Sequence, residues 1–125
     1  MAQAQKTRLL VVEDDGLIRL DLVDILVDAG FDVIDAANAD EAMVVFQNSQ
    51  DIAALLTDID MPGSMNGLEL ANRIHGQAPA CKIIVISGRY HPDTDLLPSG
   101  SRFLTKPLSE AAVARLFADL ELRPH

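Results

Sequence analysis

Short apolar runs rich in β-branched residues alternate along the chain with longer amphipathic stretches. Runs of this length and composition are typical of buried strands, whereas the stretches between them repeat apolar residues at helical spacing. The pattern predicts five strands, at residues 9–12, 31–36, 52–57, 82–87 and 102–106. Regular alternation of strands and helices favours an α/β fold built on an open, doubly wound parallel sheet.

The helix boundaries are predicted from capping residues. Gly30 is expected to end a first helix at 16–29, and Ser109 to cap a last helix that runs to Leu122. Two shorter helices are predicted at 40–47 and 67–76. The segment 88–100 contains two prolines and two glycines, so a fourth helix there is expected to be short or irregular.

Length and composition indicate one domain over residues 1–125, with an ordered core at about 7–122 and a polar tail at 1–6. A net charge of −9 argues against a nucleic-acid partner. There is no apolar run of the roughly 20 residues that a membrane helix needs, so the expected location is cytoplasmic. Cys81 is the single cysteine, which leaves no internal disulfide, and it is expected to be a packing residue.

Polar residues stand where the predicted strands end. Three acids follow the first strand, and the third, fourth and fifth strands end at an aspartate, a serine and a lysine: Glu13, Asp14, Asp15, Asp58, Ser87 and Lys106. Because right-handed crossovers keep the strands parallel, these groups are expected to meet at one edge of the sheet.

Clustered carboxylates stay ionised at neutral pH only when a cation compensates them. Oxygen ligands without histidine or cysteine favour Mg²⁺, which accepts one or two carboxylates and a phosphate oxygen. A carboxylate nucleophile, a metal site, a hydroxyl and an ammonium are together the parts needed to form an aspartyl phosphate.

Each residue also has an ordinary explanation when it is taken alone. The acids after the first strand could simply favour the positive end of a helix, and Asp58 and Asp60 could be turn residues. Ser87 could be a strand-end hydroxyl, and Lys106 a solvated charge. Their conjunction, in order on four strand ends, favours the functional interpretation.

Four motifs resemble those of two-component response-regulator receiver domains of the CheY-like superfamily. They are "VVEDD", "LLTDIDMPGSMNGLEL", "IVISG" and "FLTKP", and they extend over almost the whole chain. The resemblance implies a flavodoxin-like sheet with strand order 2-1-3-4-5 and helices on both faces. It also implies a phosphoacceptor switch, here expected as a single-domain response regulator.

The resemblance assigns a role to each acid of the site. Asp58 is expected to be the phosphoacceptor, and Mg²⁺, for which Mn²⁺ or Ca²⁺ can substitute, is expected to bind beside it. Asp14 would bind the metal directly, Glu13 through water, and Asp60 through its main-chain carbonyl.

On the same grounds, Ser87 would bond a phosphoryl oxygen and Lys106 would pair with another, with the Lys106–Pro107 bond often cis. Ser87 and Phe103 would form the switch, although Phe103 lacks the phenolic hydroxyl of many relatives. The turn after Asp58 has an extra residue relative to the common family form, and Gly88 stands where alanine is usual.

Asp60 and Arg89 lie two residues beyond Asp58 and Ser87, which predicts an ion pair that partly covers the phosphoryl group and lengthens its lifetime. The alternative is two solvated charges of little energetic weight.

The first helix has apolar residues on two sides. Ile18, Leu22, Ile25, Leu26 and Ala29 form one stripe, and Leu20, Val23 and Val27 form a second. The second stripe is expected to dock a helical partner. Scattered surface apolar residues are the alternative.

A histidine kinase or histidine phosphotransfer protein is the expected phosphoryl donor. No output domain is expected after residue 122, and the chain is therefore expected to act as a relay, a sink or a protein-binding regulator, as a monomer or weak dimer. A receiver excised from a hybrid histidine kinase is one alternative. A flavin- or nucleotide-binding protein of the same topology is another, but the acids of "EDDGLIR" would repel its phosphate. A degenerate receiver that is never phosphorylated is a third.

Overall fold

A computed structural model describes residues 6–59, 61, 65–88 and 96–125. Within these ranges the chain forms five strands and four helices. In chain order they are β1 (Arg8–Val12), α1 (Gly16–Asp28), β2 (Asp32–Ala36), α2 (Ala39–Asn48), β3 (Ile52–Asp58), α3 (Gly67–Gln77), β4 (Lys82–Ser87), β5 (Arg102–Thr105) and α4 (Glu110–Asp119).

The strands form one parallel sheet in the order β2-β1-β3-β4-β5. The predicted fold class and strand order are therefore confirmed. Since β1 is flanked by β2 on one side and β3 on the other, the order reverses there, and the carboxyl ends of β1 and β3 border the crevice where ligands of such sheets bind.

Apolar residues cover both faces of the sheet, which explains why the strands are nearly continuous hydrophobic runs. Leu10 and Val12 of β1 point to the face covered by α2 and α3, while Leu9 and Val11 point to the face covered by α1 and α4. Cys81 is buried in the first of these clusters, as expected of a packing residue.

Side-chain caps define the starts of the helices. Asp15, Asn38, Asn66 and Ser109 each accept a hydrogen bond from a main-chain N–H in the first turn of α1, α2, α3 and α4, respectively. The predicted cap at Ser109 is thus confirmed.

Two helices end in the same way, with a residue of positive φ just beyond the cap. Gly30 has φ 102° after α1, and Glu121 has φ 57° after α4. The next amide donates back five residues in each case, from Phe31 to the Leu26 carbonyl and from Leu122 to the Phe117 carbonyl. The last helix accordingly ends at Asp119, three residues before the predicted boundary, because a glutamate takes the place usually held by glycine.

The segment before β5 is attached to the core by its buried residues Leu97 and Pro98. Leu97 is 8% exposed and belongs to the first core cluster, and the side-chain Nδ2 of Asn72 donates to the Leu96 carbonyl at 2.9 Å. The prediction of a short or irregular fourth helix falls mostly on residues 89–95, which lie outside the described residues. None of the helices in the described ranges has both the length and the apolar character that crossing a membrane requires.

Candidate functional site

The predicted site residues meet at the carboxyl edge of the sheet. Glu13 and Asp14 follow β1, Asp58 ends β3, Ser87 ends β4 and Lys106 follows β5. The convergence follows from the parallel topology, because every strand delivers its last residue to the same edge.

Lys106 links two acids from different strands. Its Nζ lies 2.8 Å from Glu13 Oε1 and 3.1 Å from Asp58 Oδ2. The Glu13 side chain is fully buried, and that of Lys106 is 21% exposed. One ammonium is therefore shared by two carboxylates in a region that water reaches poorly, where charges interact more strongly than at the surface.

Burial raises the pKa of the Glu13 carboxyl from 4.5 to about 7, since the ionised form loses hydration. Lys106 opposes this rise in the pKa of Glu13. Hydrogen bonding to the Asp58 and Asp14 carboxylates, which favours the protonated form of Glu13, and the negative charge of Asp58 add to it. Partial burial of Lys106 would on its own lower its pKa, but Glu13 and Asp58 outweigh that effect, and the pKa of Lys106 lies above its ordinary value.

A divalent cation fits the acids. Oxygen atoms of Glu13, Asp14 and Asp58 lie within 4.8 Å of one another. Ligands of one Mg²⁺, each bound at about 2.1 Å, are separated by at most about 4.2 Å, so a small movement of the exposed Asp14 carboxylate closes the set. Glu13 Oε1 is buried, and the Lys106 ammonium at 2.8 Å is the partner that the described part of the chain gives it. The donor set is entirely oxygen, which suits Mg²⁺ and its substitutes.

The third acid after β1 has a different task. Asp15 Oδ1 accepts from the amides of Leu17 at 2.9 Å and Ile18 at 3.2 Å, and so caps α1. The ordinary explanation of the acids as helix-end residues is therefore correct for Asp15. Glu13 and Asp14 turn towards the site instead.

The main chain beside Asp58 is held by close packing that the sequence did not reveal. Gly67, at the start of α3, lies so close that an added Cβ would stand 1.9 Å from the Asp58 carbonyl oxygen. The buried Thr57 hydroxyl donates to this oxygen at 2.9 Å, and the Gly67 amide donates to the Ile59 carbonyl at 3.2 Å. These contacts fix the phosphoacceptor candidate against the start of a helix.

Arg19 was also missed. Its guanidinium donates to the Glu13 carbonyl oxygen at 2.8 Å and pairs with Asp35 of β2 at 3.1 Å. The available signal was its position about one turn into a helix that begins just after the acids, which directs a long side chain back towards them.

Ser87 is buried at the end of β4, and its carbonyl accepts from the Lys106 amide at 2.9 Å. The Lys106–Pro107 bond is cis, as expected. Phe103 is half-buried against the first core cluster, beside a cavity of about 170 Å³ that residues 97–101 also line. Asp60 and Arg89 lie outside the described residues, so their assigned roles remain predictions.

The docking stripe on α1 is divided by the fold. Leu20 is 58% and Val27 is 50% exposed, but Val23 is partly buried against the second core cluster. Leu17, which was not assigned to the stripe, is 81% exposed. The apolar surface of α1 therefore runs along Leu17, Leu20 and Val27, which we call the α1 surface.

Comparison with protein families identifies this arrangement. The sequence model of the response regulator receiver domain matches residues 9–117. The chain belongs to the response regulator receiver family. The family match extends over all five strands and the acidic site, so the flavin- or nucleotide-binding alternative is not favoured.

Individual relatives differ in size. The receiver protein CpdR of Brucella abortus is 38% identical over 80% of this chain and 84% of its own length. The sensor protein TorS of Escherichia coli is 30% identical over 89% of this chain but only 12% of its own length. The chain also spans just 27% of the length of another curated relative. The receiver domain therefore recurs both nearly alone and as a small part of larger proteins.

Solved structures share the fold. In the CheX–CheY–BeF₃–Mg²⁺ complex from Borrelia burgdorferi, the matched chain superposes with a TM-score of 0.82 at 28% identity, over 94% of this receiver and 90% of that chain. The family places this chain among the signalling switches of two-component systems.

Proposed function

We propose that this receiver accepts a phosphoryl group on Asp58 from a phosphohistidine, in a reaction that depends on Mg²⁺, and that the modification changes which protein it binds. The observation that carries the proposal is the convergence of three carboxylates and one ammonium at the switch point of the sheet. The chain would then be a switch whose chemistry is its own phosphorylation and dephosphorylation.

In the proposed transfer, an oxygen of the Asp58 carboxylate attacks phosphorus. The new P–O bond forms as the P–N bond of the donor breaks, and the bonding electrons return to the imidazole nitrogen. Such reactions need little covalent chemistry from the protein, which contributes alignment and charge neutralisation. Asp58 is positioned for attack because Gly67 and Thr57 hold its main chain.

Bound Mg²⁺ would neutralise charge that develops on the transferring phosphoryl oxygens. Glu13, Asp14 and Asp58, with the Asp60 carbonyl, would hold the metal. Lys106 already contacts Asp58 Oδ2, so it needs to move only slightly to pair with a phosphoryl oxygen. Asp58 itself is 7% exposed, which limits the access of bulk water to the acyl phosphate.

Ser87 would bond another phosphoryl oxygen and so draw the end of β4 towards Asp58. Phe103 lies on the neighbouring strand and lines a cavity of about 170 Å³, and we propose that its ring turns into this space as its part of the switch. The proposed pairing of Asp60 with Arg89 would shield the phosphoryl group from water and lengthen its lifetime.

The proposed donor is a histidine kinase or a histidine phosphotransfer protein that docks on the α1 surface. Support comes from its position beside the site. Ile18 and Asp21 of α1 line a largely apolar cavity of about 320 Å³ together with Lys106, Pro107 and Leu108. Ile18 and Asp21 are neighbours of the α1 surface along the helix, so a helix docked on that surface would lie next to the cavity and to the lysine that contacts Asp58. The downstream partner is proposed to be a protein, as the name of the CheX–CheY complex indicates for that relative.

Incubation with acetyl phosphate and Mg²⁺, followed by intact mass spectrometry, tests the chemistry without a cognate kinase. We expect the wild type and Asp24→Asn, which changes an exposed aspartate of α1, to gain one phosphoryl group, and Asp58→Asn to gain none. The gain should disappear when the metal is chelated. Equal labelling of Asp58→Asn, or labelling that persists without metal, would refute the proposal.

A further inference from the structure

The main chain of Glu13 is held on both sides of its Cα, through its amide and through its carbonyl. The Glu13 amide donates to the Ala36 carbonyl at 3.2 Å, and the Glu13 carbonyl accepts from the Arg19 guanidinium at 2.8 Å. This carbonyl belongs to the bond that joins the two acids, so its orientation sets the position of the Asp14 main chain.

Arg19 is itself fixed at its far end. Its Nε lies 3.1 Å from Asp35 Oδ2, and Asp35 directly precedes Ala36 on β2. The Arg19 side chain is only 24% exposed. A planar guanidinium that bonds two acceptors at once is more rigid than a single contact would be. The acidic loop, α1 and β2 are thus joined through one side chain.

Asp14 needs such support more than its neighbours do. Glu13 and Asp58 are buried and surrounded by packed atoms, whereas Asp14 is exposed and follows the last residue of the strand by two positions. A weakly restrained ligand lowers metal affinity, because its ordering entropy is then lost on binding.

We propose that Arg19 is a positioning residue that holds Asp14 in place for Mg²⁺. The inference rests on the proposed metal site. Arg19 touches neither the metal nor the phosphoryl group, and it acts only through the Glu13–Asp14 peptide unit. Its loss would weaken Mg²⁺ binding while leaving the core intact.

Charge and position act in opposite directions here. Removing Arg19 alone deletes a positive charge and leaves Asp35 unpaired, which would strengthen the attraction of a cation. The informative variants therefore keep the net charge. Arg19→Lys retains the positive charge but loses the planar guanidinium that contacts two acceptors. Arg19→Ala/Asp35→Ala removes both members of the ion pair.

The other end of β1 offers a matched control. Arg8 also pairs with an aspartate of β2, Asp32 at 2.9 Å, and also donates to a main-chain carbonyl, that of Gln50 at 3.1 Å. Arg8→Ala/Asp32→Ala removes the same kinds of contact far from the acids, and so reports the general effect of losing such a pair.

Titration of each protein with MgCl₂, followed by NMR of the main-chain amides, gives the dissociation constant without any phosphorylation. Loss of the Arg19–Asp35 pair should weaken Mg²⁺ binding by about tenfold, the lower end of the range for outer-shell ligand contacts, and Arg19→Lys by a smaller factor. The Arg8–Asp32 variant should bind as the wild type does. Amide hydrogen exchange at Glu13 and Asp14 should accelerate only in the Arg19 variants.

Mg²⁺ affinity that is unchanged or tighter in both Arg19 variants would overturn the inference, as would an equal loss in the Arg8 control. A wild type that binds no Mg²⁺ would instead overturn the proposed function, and the inference with it. Arg19→Lys, the mildest of the changes, keeps the test decisive should the double variant fold poorly.

Discussion

The contact between Gly67 and Asp58 predicts that adding one methyl group at Gly67 will slow phosphorylation much more than it destabilises the fold. In Gly67→Ala the new Cβ would stand 1.9 Å from the Asp58 carbonyl oxygen and 2.9 Å from the Asp58 carbonyl carbon and Ile59 Cα. Ordinary contacts of this kind are about 3.4 Å or longer, so α3 and the end of β3 must separate by more than about 1 Å. All the nearest atoms are main-chain atoms, and no side-chain rotation relieves the clash.

Two consequences have different sizes. Overpacking of this kind destabilises a fold by about 1–3 kcal/mol. In a chain of this length, that lowers the melting temperature by roughly 3–15 °C. A displacement of a reacting group by about 1 Å can slow a reaction by about 100-fold. At a temperature where the variant is still folded, its phosphorylation by acetyl phosphate should therefore fall far more than its folded fraction.

Gly76 supplies the matched control, because it lies in the same helix and nothing is within 4 Å of its added Cβ. Gly76→Ala should raise the free energy of unfolding by up to about 1 kcal/mol, since alanine favours helix, and should leave the phosphorylation rate unchanged. The measurements are thermal unfolding by circular dichroism and the initial rate of mass gain. A Gly67→Ala protein that is phosphorylated at the wild-type rate would refute the claim that α3 fixes Asp58.

Three further predictions concern the docking surface, the buried acid and the thiol. Leu20→Asp should slow phosphotransfer from the cognate kinase without slowing phosphorylation by acetyl phosphate. Val44 is equally exposed at 58% but lies on α2, so Val44→Asp should slow neither reaction. An equal loss of the kinase-dependent rate in both variants would contradict docking on α1. The pKa of Glu13 is 4.5 ordinarily and is raised to about 7 in the folded protein. Its contribution to the free energy of unfolding, at most roughly 3 kcal/mol, is therefore fully present below pH 4.5 and is lost as the pH rises through about 7. Mg²⁺ should therefore raise the melting temperature more at pH 8 than at pH 5, and Glu13→Gln should flatten the metal-free pH profile; an unchanged profile would contradict this assignment. Burial raises the pKa of Cys81 to about 11, so its thiol should react with a disulfide reagent at neutral pH only after unfolding, and a rapid reaction of the native protein would be the contrary result.

The sheet and the site could be predicted because both depend on patterns that are local in the sequence. An apolar run identifies a strand, and parallel topology then brings its last residue to a common edge, which places Glu13, Asp58 and Lys106 together without any knowledge of packing. The same reasoning could not show which of the three acids after β1 caps the helix and which face the site. Whether a carboxylate caps a helix or faces a neighbouring strand depends on main-chain angles, and these place Asp15 at the cap.

The faces of α1 were harder to predict, because the helix is apolar around much of its circumference. At about 100° per residue, Val23 lies only about 60° from the buried Leu26, whereas Leu17 and Leu20 lie on the opposite side from Leu22. Heptad-like spacing alone grouped Val23 with Leu20. The close approach of Gly67 to Asp58 was equally hidden, since it joins two elements through main-chain atoms that no residue pattern describes.

The position of Lys106 implies that metal and phosphoryl binding depend on each other. In the unmodified protein its ammonium is shared by Glu13 and Asp58. In the described part of the chain, Lys106 supplies the one ammonium that Glu13 contacts. If Lys106 pairs with a phosphoryl oxygen after transfer, Glu13 must share this ammonium with the phosphoryl group, which is more highly charged than the Asp58 carboxylate. A buried carboxylate that loses its cation is destabilised by several kcal/mol, unless it takes up a proton or another cation. Mg²⁺ in the proposed site would supply that cation, so phosphorylation should tighten Mg²⁺ binding, and by linkage Mg²⁺ should stabilise the phosphorylated form to the same extent.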